Sequence, residues 1–201
     1  MTTEVRDKLY WQAKEKGYRS RAAFKLLELQ KKYTVLKKGQ TVLELGCWPG
    51  GWTQIISDVV GKNGLVIGID KKEMEDLKRN NVVIFTGSAD DEAILEKIKK
   101  LLAIKKDGRT TVDVVLSDMS PNLTGIREVD ELNCVKVLEI ALKVSQRFLK
   151  KGGKTVIKCF KGGEVDKYIK CVCQKQFAKL KKTSLNSTKK GSKEQYLIGE
   201  K

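Results

Sequence analysis

Apolar and polar positions follow two rhythms along this chain, and each change of rhythm marks an element. Short apolar runs read as buried strands at 42–45, 65–69, 82–85, 112–116 and 155–160. Between them, apolar residues recur at helical spacing over 52–60, 90–102, 130–149 and 165–177. In the long helix, Leu132, Val135, Leu138 and Leu142 form the apolar stripe, and Gly152 or Gly153 stops it. Residues 5–33 read as two helical pieces broken at Gly17. Ser20 caps the second, and Ala23, Leu26, Leu27 and Gln30 follow at helical spacing. Two last strands, 180–185 and 195–198, are joined by a basic Ser/Thr/Lys-rich loop.

Strands alternating with helices predict an α/β fold, a Rossmann-like doubly wound and mostly parallel sheet. With no helix between them, the last two strands predict an antiparallel edge. No repeat or linker divides the chain. One domain over 1–201 is expected, with basic helices at 1–38 preceding the core.

The stretch TVLELGCWPGGWTQ, Thr41 to Gln54, organises the rest. A strand, a glycine-rich turn and a helix N-terminus make up a nucleotide-binding loop. The dinucleotide fingerprint G-x-G-x-x-G is not met. Gly46 and Gly51 fit its outer positions, but Trp48 fills the middle one, where an indole would collide with a pyrophosphate. E-x-G-x-x-x-G resembles instead the first motif of S-adenosylmethionine-dependent methyltransferases. Asp70, about twenty residues past the glycines, suits an acidic group on ribose hydroxyls, with a helix cap as the bland alternative. The Gly46 turn, Asp70 and Asp118 then share the rim at the strands' carboxyl ends, where doubly wound sheets bind ligands.

Charge adds a partner. The formal net charge is +16, concentrated at the ends: eleven cations against four carboxylates in residues 1–40, and eight against two in residues 175–201. Basic ends around a central fold suit a polyanion, with a solvated lysine surface as the alternative. Histidine is absent, which excludes a Ser-His-Asp triad, a Cys-His pair and any His-ligated metal. The five cysteines form no C-x-x-C pair, so reduced thiols and no metal site are expected. No apolar run reaches the length of a membrane span, and MTTEVRDKLY has no apolar signal core. The expected setting is intracellular and off the membrane. It is cytoplasmic, or mitochondrial or in another organelle if a presequence has been removed, and the expected state is monomeric.

Five segments occur in order: GYRSRAAFKL from Gly17, the PGGW turn, SDMSPNLTG from Ser117, IKCFKGG from Ile157 and SKEQYLI from Ser192. Together they resemble the FtsJ-type (RrmJ-like) ribosomal RNA 2′-O-ribose methyltransferases over nearly the whole chain. The resemblance implies S-adenosylmethionine as cofactor and RNA as partner, either ribosomal RNA or the large ribosomal subunit. It also implies a Lys-Asp-Lys-Glu tetrad at Lys25, Asp118, Lys158 and Glu194. Cofactor contacts are expected from Gly46, Pro49, Gly50, Gly51, Trp52, Asp70 and Asp118. The family usually has an aspartate after the glycine that ends the third strand. Ser88 follows Gly87 here, so Ser88 or Asp90 is expected in its place. RNA contacts are expected from Arg19, Arg21, Lys189 and Lys190, with binding that weakens steeply as salt rises. The family's Lys-Pro…Ser-Arg segment is replaced by Ser-Leu-Asn-Ser-Thr-Lys-Lys.

The implied reaction is an in-line displacement in which a ribose 2′-oxygen attacks a sulfonium methyl. A protonated hydroxyl is a poor nucleophile, and Lys158 is the candidate base or polariser. Asp118 and Glu194 are expected to hold the lysines and the ribose. Transfer RNA or messenger-RNA caps remain alternative substrates within the family. A non-catalytic RNA-binding assembly factor is a different class, which loss of any tetrad member would favour.

Overall fold

The computed structural model describes residues 8–189 and 191–201, so Lys190 lies outside the described residues. In chain order the elements are α1 (Lys8–Glu15), α2 (Ala23–Tyr33), β1 (Thr41–Leu45), α3 (Gly51–Val60), β2 (Leu65–Asp70), β3 (Val82–Thr86) and α4 (Glu92–Lys105). There follow β4 (Val112–Ser117), α5 (Arg127–Phe148), β5 (Leu149–Phe160), α6 (Gly163–Cys171), β6 (Lys179–Thr183) and β7 (Glu194–Glu200). A short 3-10 turn, Cys173–Lys175, follows α6, so the helix ends earlier than its apolar spacing predicts.

Seven strands form one sheet in the order β3-β2-β1-β4-β5-β7-β6. The pairings from β3 to β5 are parallel, and β7 runs antiparallel to both β5 and β6. The last two strands thus form the expected antiparallel edge, with β7 on the inside and β6 outermost. The reason lies in the side chains. β7 carries the buried Tyr196 and Leu197 and needs cover on both sides. β6, reading KLKKT, presents lysines and tolerates an open edge.

Apolar residues on both faces of the inner strands bury the sheet between two helical layers. Leu43 and Leu45 of β1 face α4, α5 and α6, against Ile98, Leu138 and Ala141. Val42 faces α2 and α3, against Leu26, Leu29 and Ile56. Truncating a leucine so enclosed costs about 2–5 kcal/mol. The same α3 face holds Glu44, whose carboxyl group accepts a 2.7 Å hydrogen bond from Thr53 Oγ1. Burial, then the charges of Asp118 and Asp70, outweigh that bond and push the Glu44 pKa up to about 8.

Three local departures from the sequence pattern bear on the site. α5 begins at Arg127, before the expected Asp130. The Asp130 carboxylate instead accepts hydrogen bonds from Thr124 N (2.6 Å), Thr124 Oγ1 (2.9 Å) and Gly125 N (3.2 Å), fixing the loop that leads in. Leu132 is 54% exposed and leaves the expected stripe; Leu138 and Leu142 of that stripe are buried, and Cys134, Ala141 and Phe148 join them on the buried face. Gly152 and Gly153 do not end α5. The helix stops at Phe148, and the glycines sit in an irregularity of β5, where the register with β4 shifts between Val112 and Val114.

All five cysteines are free thiols, and only Cys171 is exposed. Among the described residues, no His/Cys/Asp/Glu group is placed to hold a metal, and no helix is long and apolar enough to cross a membrane.

Candidate active site

The sheet order reverses beside β1. The chain builds β1, β2 and β3 outward, then returns to lay β4 on the other side of β1. Loops leaving β1 and β4 therefore diverge, and a cleft opens at their carboxyl ends. It measures about 460 Å³, and its lining includes Gly46, Asp70, Ser88, Met119, Pro121 and Asn133. Of the residues expected to hold a cofactor, Gly46, Asp70 and Ser88 line it. Pro49, Gly50, Gly51, Trp52 and Asp118 do not.

Two glycines are required here by space. Gly46 has φ +79°, and a Cβ on it would stand 2.9 Å from both Cγ and the backbone N of Met119. A Cβ on Gly51 would run into Ser20 Oγ. Ser20 does not cap α2, which starts at Ala23 after Ala22. Its hydroxyl is buried without a hydrogen-bond partner, beside the first turn of α3, which has no side-chain cap. An orphaned hydroxyl beside uncapped helix N–H groups suits an anionic or polar ligand atom.

Asp70 closes the loop from the other side. Its carboxylate accepts from Trp48 N (2.9 Å) and Lys72 N (2.9 Å). Trp48 is 47% exposed, with Lys72 Nζ 4.1 Å from its ring centroid. The Ser88 hydroxyl donates to Asp90, so the two candidates for the missing aspartate act as a pair. Trp52 is a core residue. Its Nε1 donates to the Ala22 carbonyl (2.8 Å), and its ring lies 6.0 Å from that of Tyr196. Trp11, which by itself would be expected in the core, is 53% exposed.

The four tetrad residues come from α2, the β4 loop, β5 and β7, and they meet as two ion pairs. Lys25 Nζ stands 2.8 Å from each carboxylate oxygen of Glu194. Lys158 Nζ stands 3.0 Å from Asp118 Oδ1 and also donates to the Asp118 carbonyl. Lys158 is 5% exposed. One residue absent from the expected set joins the pairs. Tyr196 OH donates to Glu194 Oε1 (2.7 Å) and lies 3.2 Å from Asp118 Oδ1. The sequence carried a usable signal, since Glu194 and Tyr196 are two apart on one strand and so face the same way. Burial raises the Glu194 pKa. The charge and hydrogen bond of Lys25, with Tyr196 and Lys158, reverse this and hold it below the carboxylate norm. Burial and the charges of Asp118 and Glu194 push the Tyr196 phenol well up, so it stays a donor.

The chain matches the model of the FtsJ-like methyltransferase family over residues 18–201. The chain belongs to this family. Curated relatives bear the name ribosomal RNA large subunit methyltransferase E. One, from Methanothermobacter thermautotrophicus, is 42% identical over 96% of this chain and 89% of its own. Another, from Pseudomonas fluorescens, is 39% identical over the same shares. Among solved structures, one assigned as a ribosomal RNA methyltransferase from Plasmodium falciparum superposes with TM-score 0.76 at 30% identity, covering 91% of this chain and 97% of that one. Aeropyrum pernix fibrillarin, solved with bound S-adenosyl-L-methionine, superposes with TM-score 0.57 at 18% identity, covering 90% and 75%, and so shares the fold.

The basic residues of this FtsJ-like chain are less uniform than its charge suggests. Arg19 Nη1 donates to the carbonyls of Glu75 (2.6 Å) and Pro49 (3.5 Å), and Nη2 to that of Asp76 (3.0 Å). It braces the Gly50 turn against the segment after β2. Arg21 Nη2 donates to the Ser187 carbonyl (3.2 Å), and Lys189 is exposed in the same loop.

Proposed function

We propose that this chain transfers the methyl group of S-adenosylmethionine to a ribose 2′-oxygen of RNA, with large-subunit ribosomal RNA as the substrate. The observation that carries this reading is the double ion pair Lys25–Glu194 and Lys158–Asp118, joined through Tyr196 at the same strand ends as the cleft.

Bound in the cleft, the cofactor supplies an electrophilic methyl on a positively charged sulfur. Ser20 Oγ and the first N–H groups of α3 suit the carboxylate of its amino-acid part. Asp70 suits the ribose hydroxyls, and Ser88 with Asp90 suits the adenine. Gly46 keeps the floor clear.

The chain's own residues do the rest. Lys158 Nζ polarises the attacking 2′-hydroxyl and stabilises negative charge as it develops on that oxygen. Asp118 fixes Lys158 through both a side-chain and a main-chain oxygen. Glu194 and Lys25 form the second wall, and Tyr196 ties the two carboxylates so that neither turns away. Orientation of this kind lowers the barrier by holding the reacting atoms in line. The 2′-hydroxyl requirement selects RNA over DNA. Arg21 and Lys189 serve the phosphate backbone. This activity belongs where ribosomes are, in the cytoplasm or an organelle, and we assign it to a monomer.

The test is product analysis. The protein is incubated with labelled S-adenosylmethionine and, separately, large ribosomal subunits, free large-subunit RNA and transfer RNA. Label in a 2′-O-methylated nucleotide from the ribosomal substrates supports the reading. Label confined to a base, or to transfer RNA, overturns it.

A further inference from the structure

A second cluster, outside the tetrad, ties α2 to the loop between β6 and β7. Glu28 lies one helical turn past Lys25. Its carboxylate accepts from Asn186 N (3.0 Å), Ser187 N (3.0 Å) and Ser187 Oγ (2.8 Å), and pairs with Lys32 Nζ at 2.6 Å. Burial raises its pKa, and Lys32, the two amides and the hydroxyl more than reverse this, to about 2. Two further contacts, one from just before α2 and one from its last residue, hold this loop and the end of β6 that leads into it. Arg21 donates to the Ser187 carbonyl, and Tyr33 OH donates to Thr183 Oγ1 at 2.8 Å. Leu185, 6% exposed, anchors the loop in the apolar layer beneath. The loop runs on through Lys189 into Glu194, the partner of Lys25.

We propose that Glu28 is a positioning residue. It clamps Asn186 and Ser187 onto α2 and so sets where Arg21, Lys189 and Glu194 stand toward the RNA backbone. Two features point beyond mere stability. The clamp spans residues far apart in sequence, yet both of its ends flank the tetrad. It also acts on main-chain amides, which fix loop conformation whatever the loop's side chains. The loop, SLNSTKK, carries the positive charge, and Glu28 supplies the fixed point from which that charge is presented.

The proposal rests on the RNA reading above, and the test separates the two. Glu28→Gln, Glu28→Asp and Ser187→Ala are compared with wild type. The readouts are RNA affinity by anisotropy, KM and kcat for RNA, cofactor affinity by calorimetry, and hydrogen exchange at Asn186 and Ser187. Glu28→Gln is expected to speed exchange at both amides and to raise the RNA Kd and KM at least fivefold, with cofactor affinity within twofold of wild type. Glu28→Asp is expected to recover part of the loss. Faster exchange with RNA Kd and KM unchanged overturns the proposal. If Glu28→Gln fails to fold, Ser187→Ala, which removes one donor from the loop side, decides by the same ratios. A wild type that binds RNA but transfers no label overturns the reaction, and the Kd ratio still decides the clamp.

Discussion

Lys158 and Tyr196 stand opposite each other in the antiparallel register of β5 and β7, and both reach the Asp118 carboxylate, at 3.0 and 3.2 Å. The pairing links a sheet register to a chemical arrangement. A shift of one residue would turn either side chain to the opposite face and break the contact with Asp118.

Tyr196→Phe keeps the ring against Trp52 and removes only the hydroxyl that bridges Glu194 and Asp118. A hydrogen bond to a charged group contributes about 1.5–3 kcal/mol, so kcat is expected to fall about tenfold or more. Cofactor affinity should hold. Steady-state methyl transfer beside calorimetry checks both, and an unchanged kcat would remove Tyr196 from the account.

Lys25→Met should move a pH profile as well as a rate. Burial raises the Glu194 pKa and Lys25 is the foremost group lowering it, so without Lys25 it climbs. The acid limb of the activity profile then shifts toward neutral pH, because Glu194 takes up its proton earlier. The same limb in both proteins would show that Glu194 ionisation does not govern activity.

Glu44 makes the fold sensitive to base. Its pKa is raised from an ordinary 4.5 to about 8, mainly by burial. Between those values the folded chain holds a proton that the unfolded chain has released, so stability falls as pH rises through that window. Glu44→Gln keeps an acceptor for Thr53 and removes the titration. At pH 8 it should be the more stable protein by on the order of 2 kcal/mol. Denaturant melts at several values between pH 5.5 and 8.5 test this. A wild-type stability that stays flat over the range would contradict it.

Gly46→Ala places a methyl 2.9 Å from Met119 at φ +79°. Backbone strain of this kind costs about 1–3 kcal/mol. Met119 lines the cleft, so cofactor affinity should fall with stability. Calorimetry and thermal melts follow the two effects, and normal affinity in the variant would mean that the cleft floor is elsewhere.

The strands were legible because each inner one is mostly apolar, with single interruptions such as Glu44 in β1 and Asp113 in β4, and β1 and β2 were placed closely by Leu43, Leu45 and Ile67. β5 was not. Its first residues, LKKGGK, carry no strand pattern, and pairing with β4 and the terminal Lys201 holds them extended. The start of α5 was missed because Asp130 looks like a helix cap and instead binds the preceding loop. At the site, the tetrad was read from motif resemblance alone. Composition and periodicity would leave Lys158 as an edge lysine. Tyr196 and Glu28 went unassigned for another reason. Glu194, two residues from Tyr196, offered a signal, but the contacts that give each its place, Tyr196 with Asp118 and Glu28 with Ser187, join residues distant in sequence, and only the folded chain brings them near.

The most direct test of the central claim is transfer of tritiated methyl from S-adenosylmethionine to purified large ribosomal subunits, wild type beside Lys158→Ala. Both proteins should bind the cofactor alike, since Lys158 does not line the cleft. The expected result is label in a 2′-O-methylated nucleotide with wild type and at least a hundredfold less with the variant. Near-normal turnover by Lys158→Ala would contradict the account.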